Sequence, residues 1–457
     1  INASPSLNLS AGKLNFAPRL GLAYSLTPKT IIRAGFGIFY SQIFSDLGGQ
    51  VLFPGYTITQ AFTNLGTGVA QPFSLSQGMP LIAVQNLSDP QSTLSQFTPS
   101  NPISASASFA QAGPLPYAME YNFGIQREVM RGTILDVNYV GSSDVHLPLN
   151  LPYNQVPFDA ATSIAQVNTT VNTQSYRPFP NVGQFSAITM AGHSSYNGLQ
   201  VTARRDYSAN LAFVANYTWS KSINDGDGLF SFSQPLGLNV GQFPQLYRNL
   251  DRAVSEFNRP NNFTAAVVYK TSHGPRWLRN IEIDPILTAR DGLYATINQN
   301  TTNAAASQIR PNVINGASIY TSSPYTNGTG IQYLLPVGAS DFPLGPVGPL
   351  FTGSGANRKE VLPAGIGTLW RNTVQTPGEF DLDMAVGRKF PLGERFNLEL
   401  RAEAFNILNH TNFLQPNTSL TVTANSQGQA IFNSPGFGLI TDSRAARFLQ
   451  LVVRVNF

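Results

Sequence analysis

The sequence predicts an all-β protein, an antiparallel transmembrane β-barrel of the outer-membrane type. Three observations predict this class: a low charge content, segments in which apolar and polar residues alternate, and connections that are short and long in turn. The 457 residues are 42% hydrophobic and only 11% charged, whereas soluble domains usually carry about 25% charged residues. We therefore expect much of the strand surface to face something other than water.

Composition excludes several other classes. Thirty Phe, 17 Tyr and three Trp supply more apolar area than a disordered chain retains. A membrane-spanning helix needs roughly 20 consecutive, predominantly apolar residues, and charge-free stretches such as Leu47–Ser88 are broken throughout by small and polar residues. The 28 Lys and Arg residues are scattered and the formal charge is +4, so nucleic acid is not an expected partner.

Eleven segments have the period of two that is typical of strands. In residues 211–220, Phe213, Tyr217 and Trp219 occupy one parity, and Asn216 and Thr218 occupy the other. One face of each strand is thus apolar and the other is polar or small. The predicted strands are Leu14–Leu26, Ile31–Tyr40, Ala118–Arg127, Thr133–Gly141, Ser186–Arg205, Leu211–Ser220, Asn262–Thr271, Ile281–Arg290, Glu379–Lys389, Arg395–Leu408 and Arg447–Phe457.

The connections between these segments alternate in length. Short ones include Thr27–Thr30, Asp206–Asn210 and Pro391–Glu394, and long ones include Ser41–Tyr117 and Asn298–Gly378. Tight periplasmic turns and long outer loops are the arrangement of an outer-membrane barrel. A soluble β-sandwich also has alternating strands, but it exposes a charged face, so the low charge content favours the barrel.

The direction of the strands predicts that the barrel is incomplete. If the short turns are periplasmic, the first predicted strand and the last both run inward, so their number is odd. Single-chain bacterial barrels have an even number of strands, and an open sheet edge cannot face lipid. We therefore expect at least one strand before Ile1, which makes residues 1–457 the C-terminal part of a larger barrel.

The ninth and tenth predicted strands carry ionised residues on their polar parity. We expect these residues to form a charge ladder on the lumen wall rather than an acid/base pair, because their strands share a short turn. We further expect Asp383 and Arg401 to be cross-strand neighbours. Arg33 in the second predicted strand is expected to line the same wall. The predicted lumen-wall residues are therefore Arg33, Asp381, Asp383, Glu399, Arg401 and Glu403.

No segment has the spacing of a catalytic, cofactor-binding or metal site. The four histidines, His146, His193, His273 and His410, do not form a metal-ligand motif, and the chain has no Cys. We therefore expect no enzyme activity, no cofactor and no metal centre.

The end of the chain is the sharpest local signal. Apolar residues alternate with polar ones up to a terminal aromatic residue, and a last strand of this kind resembles the insertion signal that the barrel-assembly machinery reads. The predicted signal residues are Leu449, Leu451, Val453, Val455 and Phe457.

The long loop Leu47–Met119 contains a single charged residue, which is Asp89. Its aromatic side chains, such as Phe53 and Tyr56, could contact a polar ligand or could simply cover the barrel, and a cover is the slightly favoured interpretation.

Several segments together resemble a known family. NFAPRLGLAYSLTPKTIIRAGFGIFY, YNFGIQREVMRGTILDVNYVGSS, SYNGLQVTARRDYSANLAFVANYTWSKSIND, RAEAFNILNHTNF and the terminal LQLVVRVNF look like the barrel of TonB-dependent outer-membrane transporters of the Oar-like branch. The resemblance implies a 22-stranded barrel, an N-terminal plug that closes it, and transport driven by the TonB complex through that plug. Residues 1–457 contain neither the plug nor the N-terminal regulatory-like domain that often precedes it.

The expected function is therefore energy-coupled uptake of a bulky, unidentified substrate across the outer membrane of a Gram-negative bacterium. Expected partners are outer-membrane lipid, the barrel-assembly machinery and, only through the plug, the TonB complex. The alternatives are a structural or adhesive barrel and a passive porin.

Overall fold

The structure of the chain is a computed structural model. The structure describes residues 15–41, 76, 109–110, 114–154, 156, 173–183, 185–208, 210–226, 251–272, 275, 278–300, 309–328, 330–348, 350–353, 359–362, 365, 367–392 and 397–456.

Eleven long strands form one antiparallel sheet in which each strand pairs with the next along the chain. This confirms the predicted all-β class and the predicted set of strands. The strands are β1 (Arg19–Thr27), β2 (Thr30–Tyr40), β3 (Tyr117–Met130), β4 (Thr133–Tyr153), β5 (Phe185–Ser208), β6 (Leu211–Asn224), β7 (Asn261–Lys270), β8 (Ile281–Arg290), β9 (Glu379–Pro391), β10 (Asn397–Phe405) and β11 (Phe448–Asn456).

The alternation of connections is also present. β1 and β2 are joined through a turn between Thr27 and Thr30, and β5 and β6 through a turn between Ser208 and Leu211. Asn210 in the second turn has a φ of 65°, a backbone conformation that Asn adopts more readily than most residues. We call the edge of the sheet with these turns the turn edge and the opposite edge the rim.

The predicted end of β4 was wrong, because the strand continues for twelve residues beyond Gly141, to Tyr153. Pro148 and Pro152 in this extension disfavour a central strand. They are accommodated because β3 pairs with β4 only as far as Val145, so beyond that point β5 is the one neighbour of β4 among the residues that the structure describes. A tilted strand crosses a membrane with about 9–11 residues, so the β4–β5 hairpin extends well past the rim.

Residues that pair directly across strands point to the same face of a sheet. Following the pairing from β1 to β11 gives one face rich in large apolar side chains, the apolar face, and one rich in polar side chains, the polar face. On the apolar face of β1, Leu20 and Leu22 are 72% and 61% exposed. Such exposure is expected where the neighbour is lipid rather than protein.

Two outer loops fold together above the rim into what we call the outer cap, the described residues of 291–378 and 406–447. A parallel pairing joins Asn298–Asn300 to Ser419–Thr421, and an antiparallel one joins Ile331 and Gln332 to Leu439 and Ile440. The cap has its own apolar core, formed by Ala295, Ile297, Leu334, Phe342, Leu344, Leu369, Val374, Leu420, Val422, Phe432 and Phe437.

The remaining elements are short. They are strands Phe109–Ala110, Ala253–Val254, Tyr294–Ala295, Asn298–Asn300, Asn312–Val313, Tyr320–Asn327, Gly330–Leu334, Leu344–Gly345, Leu350–Thr352, Lys359–Leu362, Val374–Gln375, Ser419–Ala424, Ala430–Phe432 and Leu439–Ile440, and one 3₁₀ helix, Thr173–Tyr176. Among the described residues, no helix has the length and apolar content needed to span a membrane.

Candidate functional site: the polar face and its rim

The polar face is continuous from β2 to β9. One row of directly paired residues runs across it: Arg33, Gly124, Asn138, Gln200, Thr218, Asn262, Arg290 and Glu379. Asp381 and Asp383 follow Glu379 at alternate positions of β9, and Glu399, Arg401 and Glu403 pair with Lys389, Gly387 and Ala385 of the same parity. The register therefore brings all six predicted lumen-wall residues to one face.

An ion-pair cluster occupies this face on β8 to β10. Arg401 of β10 contacts Asp284 of β8 at 2.8 Å and Glu403 at 2.7 Å, and Glu282 is 3.9 Å away. Arg401 reaches a strand two places away because the positions it crosses on β9 are small, Ala385 and Gly387. A cluster of this kind, 28% exposed at Arg401, orders the wall more than it stabilises it.

The predicted pairing of Asp383 with Arg401 was wrong. Arg401 pairs with Gly387 in the register, four residues from Asp383. Asp383 instead accepts a hydrogen bond of 2.9 Å from the backbone N–H of Asn406. Shared parity placed both residues on one face, but it carried no information on their height along the strands.

A second charged cluster lies at the rim. Glu379, the first residue of β9, accepts contacts from Arg290 at 2.7 Å and from Arg444 at 3.3 Å. Arg259 lies nearby and donates to the backbone carbonyl of Asp291 at 2.7 Å. Burial lowers the pKa of Arg259, and the neighbouring Arg290 guanidinium acts in the same direction. Arg290 at the end of β8 and two arginines from outer connections, Arg259 and Arg444, therefore converge on the start of β9.

Between these clusters and β2 the polar face carries mainly amides and hydroxyls, with a few separate charges such as Asp144. Asp144 accepts hydrogen bonds from Ser142 and Ser194, and Thr202 donates to Asn216 at 2.9 Å. Amides and hydroxyls that donate and accept in this way present a wall that can hydrogen-bond to water or to a solute.

The most deeply buried ion pair found among the described residues lies where the outer cap meets β6. Arg310 and Asp251 form an ion pair of 2.9 Å in which the side chains are 0% and 1% exposed. Burial lowers the pKa of Arg310 to about 10, with the Asp251 carboxylate opposing that shift, so Arg310 stays protonated at neutral pH. Arg371 donates to the backbone carbonyls of Asp251 at 2.8 Å and Asn224 at 2.9 Å. We call Asn224, Asp251, Arg310 and Arg371 the anchor cluster.

The anchor cluster joins three parts of the chain. Asn224 ends β6, Asp251 belongs to the next outer connection, and Arg310 and Arg371 come from the outer cap. Sequence reasoning missed these residues because they are separated by up to 147 positions and no local pattern marks them. Only isolated charges in long, nearly uncharged loops gave any signal.

Sequence reasoning also missed the role of the asparagines after β10. Asn406 and His410 exchange hydrogen bonds of 2.9 Å, and the side chain of Asn412 bonds to the backbone N–H and C=O of Phe380. Asn406 and Asn409 both have φ near 50°. The segment AFNILNHTNF therefore forms a hydrogen-bonded turn that joins the rim end of β10 to the rim end of β9.

The described residues contain no group of three or more His, Asp or Glu side chains placed to hold a metal ion. His193 contacts Asp225 at 3.2 Å, and Asp225 also contacts Arg252 at 3.0 Å. His273 lies outside the described residues.

The predicted insertion-signal residues are all on the apolar face where they are described. Leu449, Leu451, Val453 and Val455 pair with Ala404, Ala402, Leu400 and Leu398 of β10. Leu451 is 82% exposed. Phe457 lies outside the described residues, as does nearly all of the loop Leu47–Met119.

An antiparallel sheet with one lipid-compatible face, one polar face, tight turns at one edge and folded loops at the other has the architecture of an outer-membrane β-barrel. The chain belongs to the outer membrane β-barrel domain family, whose model matches residues 2–450. Membership of this family locates the protein in the outer membrane.

No curated protein matches the sequence, but solved structures do. The fold is similar to that of the outer membrane transporter YddB from Escherichia coli, with 10% identity and a TM-score of 0.43 over 97% of this chain and 40% of that one. It is similar to BauA, the ferric preacinetobactin receptor from Acinetobacter baumannii, with 10% identity and a TM-score of 0.38 over 96% and 36%. It is also similar to the FrpB iron transporter from Neisseria meningitidis, with 10% identity and a TM-score of 0.37 over 97% and 39%. This chain thus spans 40% or less of each of these structures.

Proposed function

We propose that this chain is the barrel portion of an outer-membrane transporter that takes up a bulky substrate with energy supplied by the TonB complex. The observation that carries the proposal is the extent of the polar face, on which Arg33, Glu120 and Asn122 remain exposed. A barrel of about eight strands fills its interior with its own side chains, and wider barrels leave room for solute or a plug. A sheet that already has eleven strands is on the wide side of this limit.

We propose that further strands close the sheet. β1 and β11 both run from the rim to the turn edge, so direct pairing between them would be parallel. An antiparallel closure needs an odd number of strands between them, in agreement with the even strand number of single-chain bacterial barrels. A strand count on the full-length protein tests this, and a closed barrel of these eleven strands alone would refute it.

In this proposal the six residues Arg33, Asp381, Asp383, Glu399, Arg401 and Glu403 line the lumen. Their chemistry is that of a wall that attracts water and orients polar solutes, so the described residues act as wall, lipid-facing belt and lid rather than as a catalyst. The plug through which the TonB complex would pull is proposed as a separate domain of the full-length protein.

The decisive experiment is uptake by cells that lack the full-length gene, complemented with the gene or with an empty vector. Candidate substrates are metal chelates, glycans and peptides. We expect complementation to restore uptake only while the TonB complex is active. Uptake that continues without that complex would indicate a passive porin instead.

The folded outer cap favours a second candidate, a barrel that binds surfaces without transport, because a loop with its own apolar core presents a fixed outer surface. Loss of cell adhesion without any loss of uptake in the deleted strain would favour this candidate.

We propose that the barrel-assembly machinery reads the alternating residues of β11. Deletion of Phe457 from the full-length protein should lower its yield in the outer membrane. The matched control is Arg454→Gln, which changes the polar parity of the same strand. Equal yields for the deletion and the control would remove this role.

A further inference from the structure

Two polar side chains lie side by side on the apolar face, where polar residues are least expected. Asn197 of β5 and Lys221 of β6 are direct register partners, and both are exposed. Their neighbours along β6 on the same face are Trp219, which is 59% exposed, and Ile223. A polar pair in this position calls for a partner outside the barrel.

The position of the pair along its strands places it at the membrane boundary. Lys221 is the eleventh residue of β6 counted from Leu211, and Asn197 is the twelfth of β5 counted from Ser208. Since about 9–11 residues of a tilted strand cross the hydrocarbon, both lie at its outer edge. Trp219 belongs to the aromatic girdle that marks this edge.

The amide of Asn197 is held in one orientation. The hydroxyls of Tyr121 and Tyr139 both donate to its Oδ1, at 2.9 and 2.7 Å. The Tyr121 ring lies across Gly141, where an added Cβ would be only 2.2 Å from the ring, so a residue with a side chain there would displace the tyrosine. With Oδ1 engaged by both tyrosines, the Nδ2 group is directed away from them and keeps its two N–H donors for another acceptor.

We propose that Asn197 and Lys221 form a subsite for the phosphate group of an outer-leaflet lipid. Both side chains present donors, and Lys221 adds a positive charge that has no ion-pair partner among the described residues. An anion with several acceptor oxygens matches this donor pair. At this height on the outer surface of a barrel, lipid phosphate groups are the anions in contact.

The carboxylate of Asp291, beyond Trp219 on the apolar face, does not compete for Lys221. Trp219 pairs with Asn261, and Asn261 donates its backbone N–H and its Nδ2 to Asp291, at 2.9 and 2.7 Å. Asp291 is therefore satisfied on the far side of Trp219. A lysine that merely extends its ammonium into water also occurs at membrane boundaries, and the oriented amide beside Lys221 is what distinguishes a built subsite from that arrangement.

Native mass spectrometry of the purified full-length protein tests the subsite, with diphosphorylated lipid A as the probe and its dephosphorylated form as the comparison. Loss of one basic residue near a charged membrane surface weakens association by about fivefold. We therefore expect Lys221→Gln to lower the affinity for the phosphorylated probe by about fivefold. The matched control Lys270→Gln, on the polar face opposite Glu282, should leave the affinity unchanged.

Two further variants test the oriented amide. Asn197→Leu removes the donors, and Tyr139→Phe removes one of the hydroxyls that orient them; both should weaken binding of the phosphorylated probe while the charge is kept. Equal binding of the two lipid A forms by the unaltered protein, or unchanged affinity in Lys221→Gln, would overturn the proposal. An effect of Lys221→Gln with none in the other two variants would overturn the paired subsite, leaving only a solvated lysine. A difference in electrophoretic mobility between unheated and heated samples confirms that each variant is folded.

Discussion

Replacement of Asp251 by leucine leaves the guanidinium of Arg310 buried without its carboxylate partner. The two side chains are 0% and 1% exposed and 2.9 Å apart, so Arg310 cannot regain water unless the outer cap opens. Removing one partner of a buried ion pair costs about 3 to 5 kcal/mol. We expect that cost to appear as a roughly hundredfold to several-thousandfold increase in the opening equilibrium of the outer cap.

Hydrogen exchange of the full-length protein, read by mass spectrometry, measures this opening at the amides of Gly330–Leu334 and Ser419–Ala424. The matched control is the double variant Asp251→Leu with Arg310→Met, which removes both charges and should be nearly neutral because apolar side chains of similar volume often replace a buried pair without loss. The β3–β5 amides should exchange as in the unaltered protein. If the single variant exchanges no faster, or if the double variant exchanges as fast as the single one, the anchor cluster does not hold the cap.

Three other predictions test the faces, the ion-pair cluster and the cap. Ala215→Arg, at mid-height of β6 on the apolar face, should lower the free energy of unfolding by about 2 to 4 kcal/mol, whereas Thr218→Arg on the polar face should have a small effect; equal costs in denaturant titrations would contradict the assignment of the faces. Gly387→Leu should block the path of Arg401 to Asp284 and lower the free energy of unfolding by about 1 to 2 kcal/mol, a low value for charged hydrogen bonds because the contact with Glu403 remains. The control is Gly21→Ala, where nothing lies within 4 Å of the added Cβ. Equal unfolding midpoints for the two variants would refute this path. Burial raises the pKa of Tyr333 to about 12 from an ordinary value of about 10, so its contribution to cap stability is present below pH about 10 and is lost as the pH rises through about 12. Near-ultraviolet circular dichroism should show a shallower alkaline loss of cap structure in Tyr333→Phe, and identical slopes would contradict this.

The strands were predictable because their signal is local. Each alternation, such as the one that sets Phe213, Tyr217 and Trp219 on one parity, depends only on the period of two along a single strand. The short turns add a second local signal at positions such as Asn210. Most predicted boundaries lie within five residues of the observed ones. The end of β4 differs by twelve residues, because its extension depends on where β3 stops pairing.

The sequence predicted which residues lie on the polar face, but it did not predict which of them contact each other. Parity alone placed Asp383 and Arg401 on one face, yet the register set them four residues apart and brought Arg401 to Asp284 across two small residues. Register follows from turn geometry and from pairing along the whole length of neighbouring strands, so no single segment determines it.

The sequence by itself determined the class of the protein, the eleven strands and the face to which each side chain points, since all of these follow from composition and from a period of two. Only the tertiary structure decided which residues meet: the buried pair of Asp251 with Arg310, the asparagine turn at the rim, and the oriented amide of Asn197 beside Lys221. These contacts join residues that are distant in the chain. Their geometry depends on strand register and on the folding of two loops against each other, which no local pattern encodes.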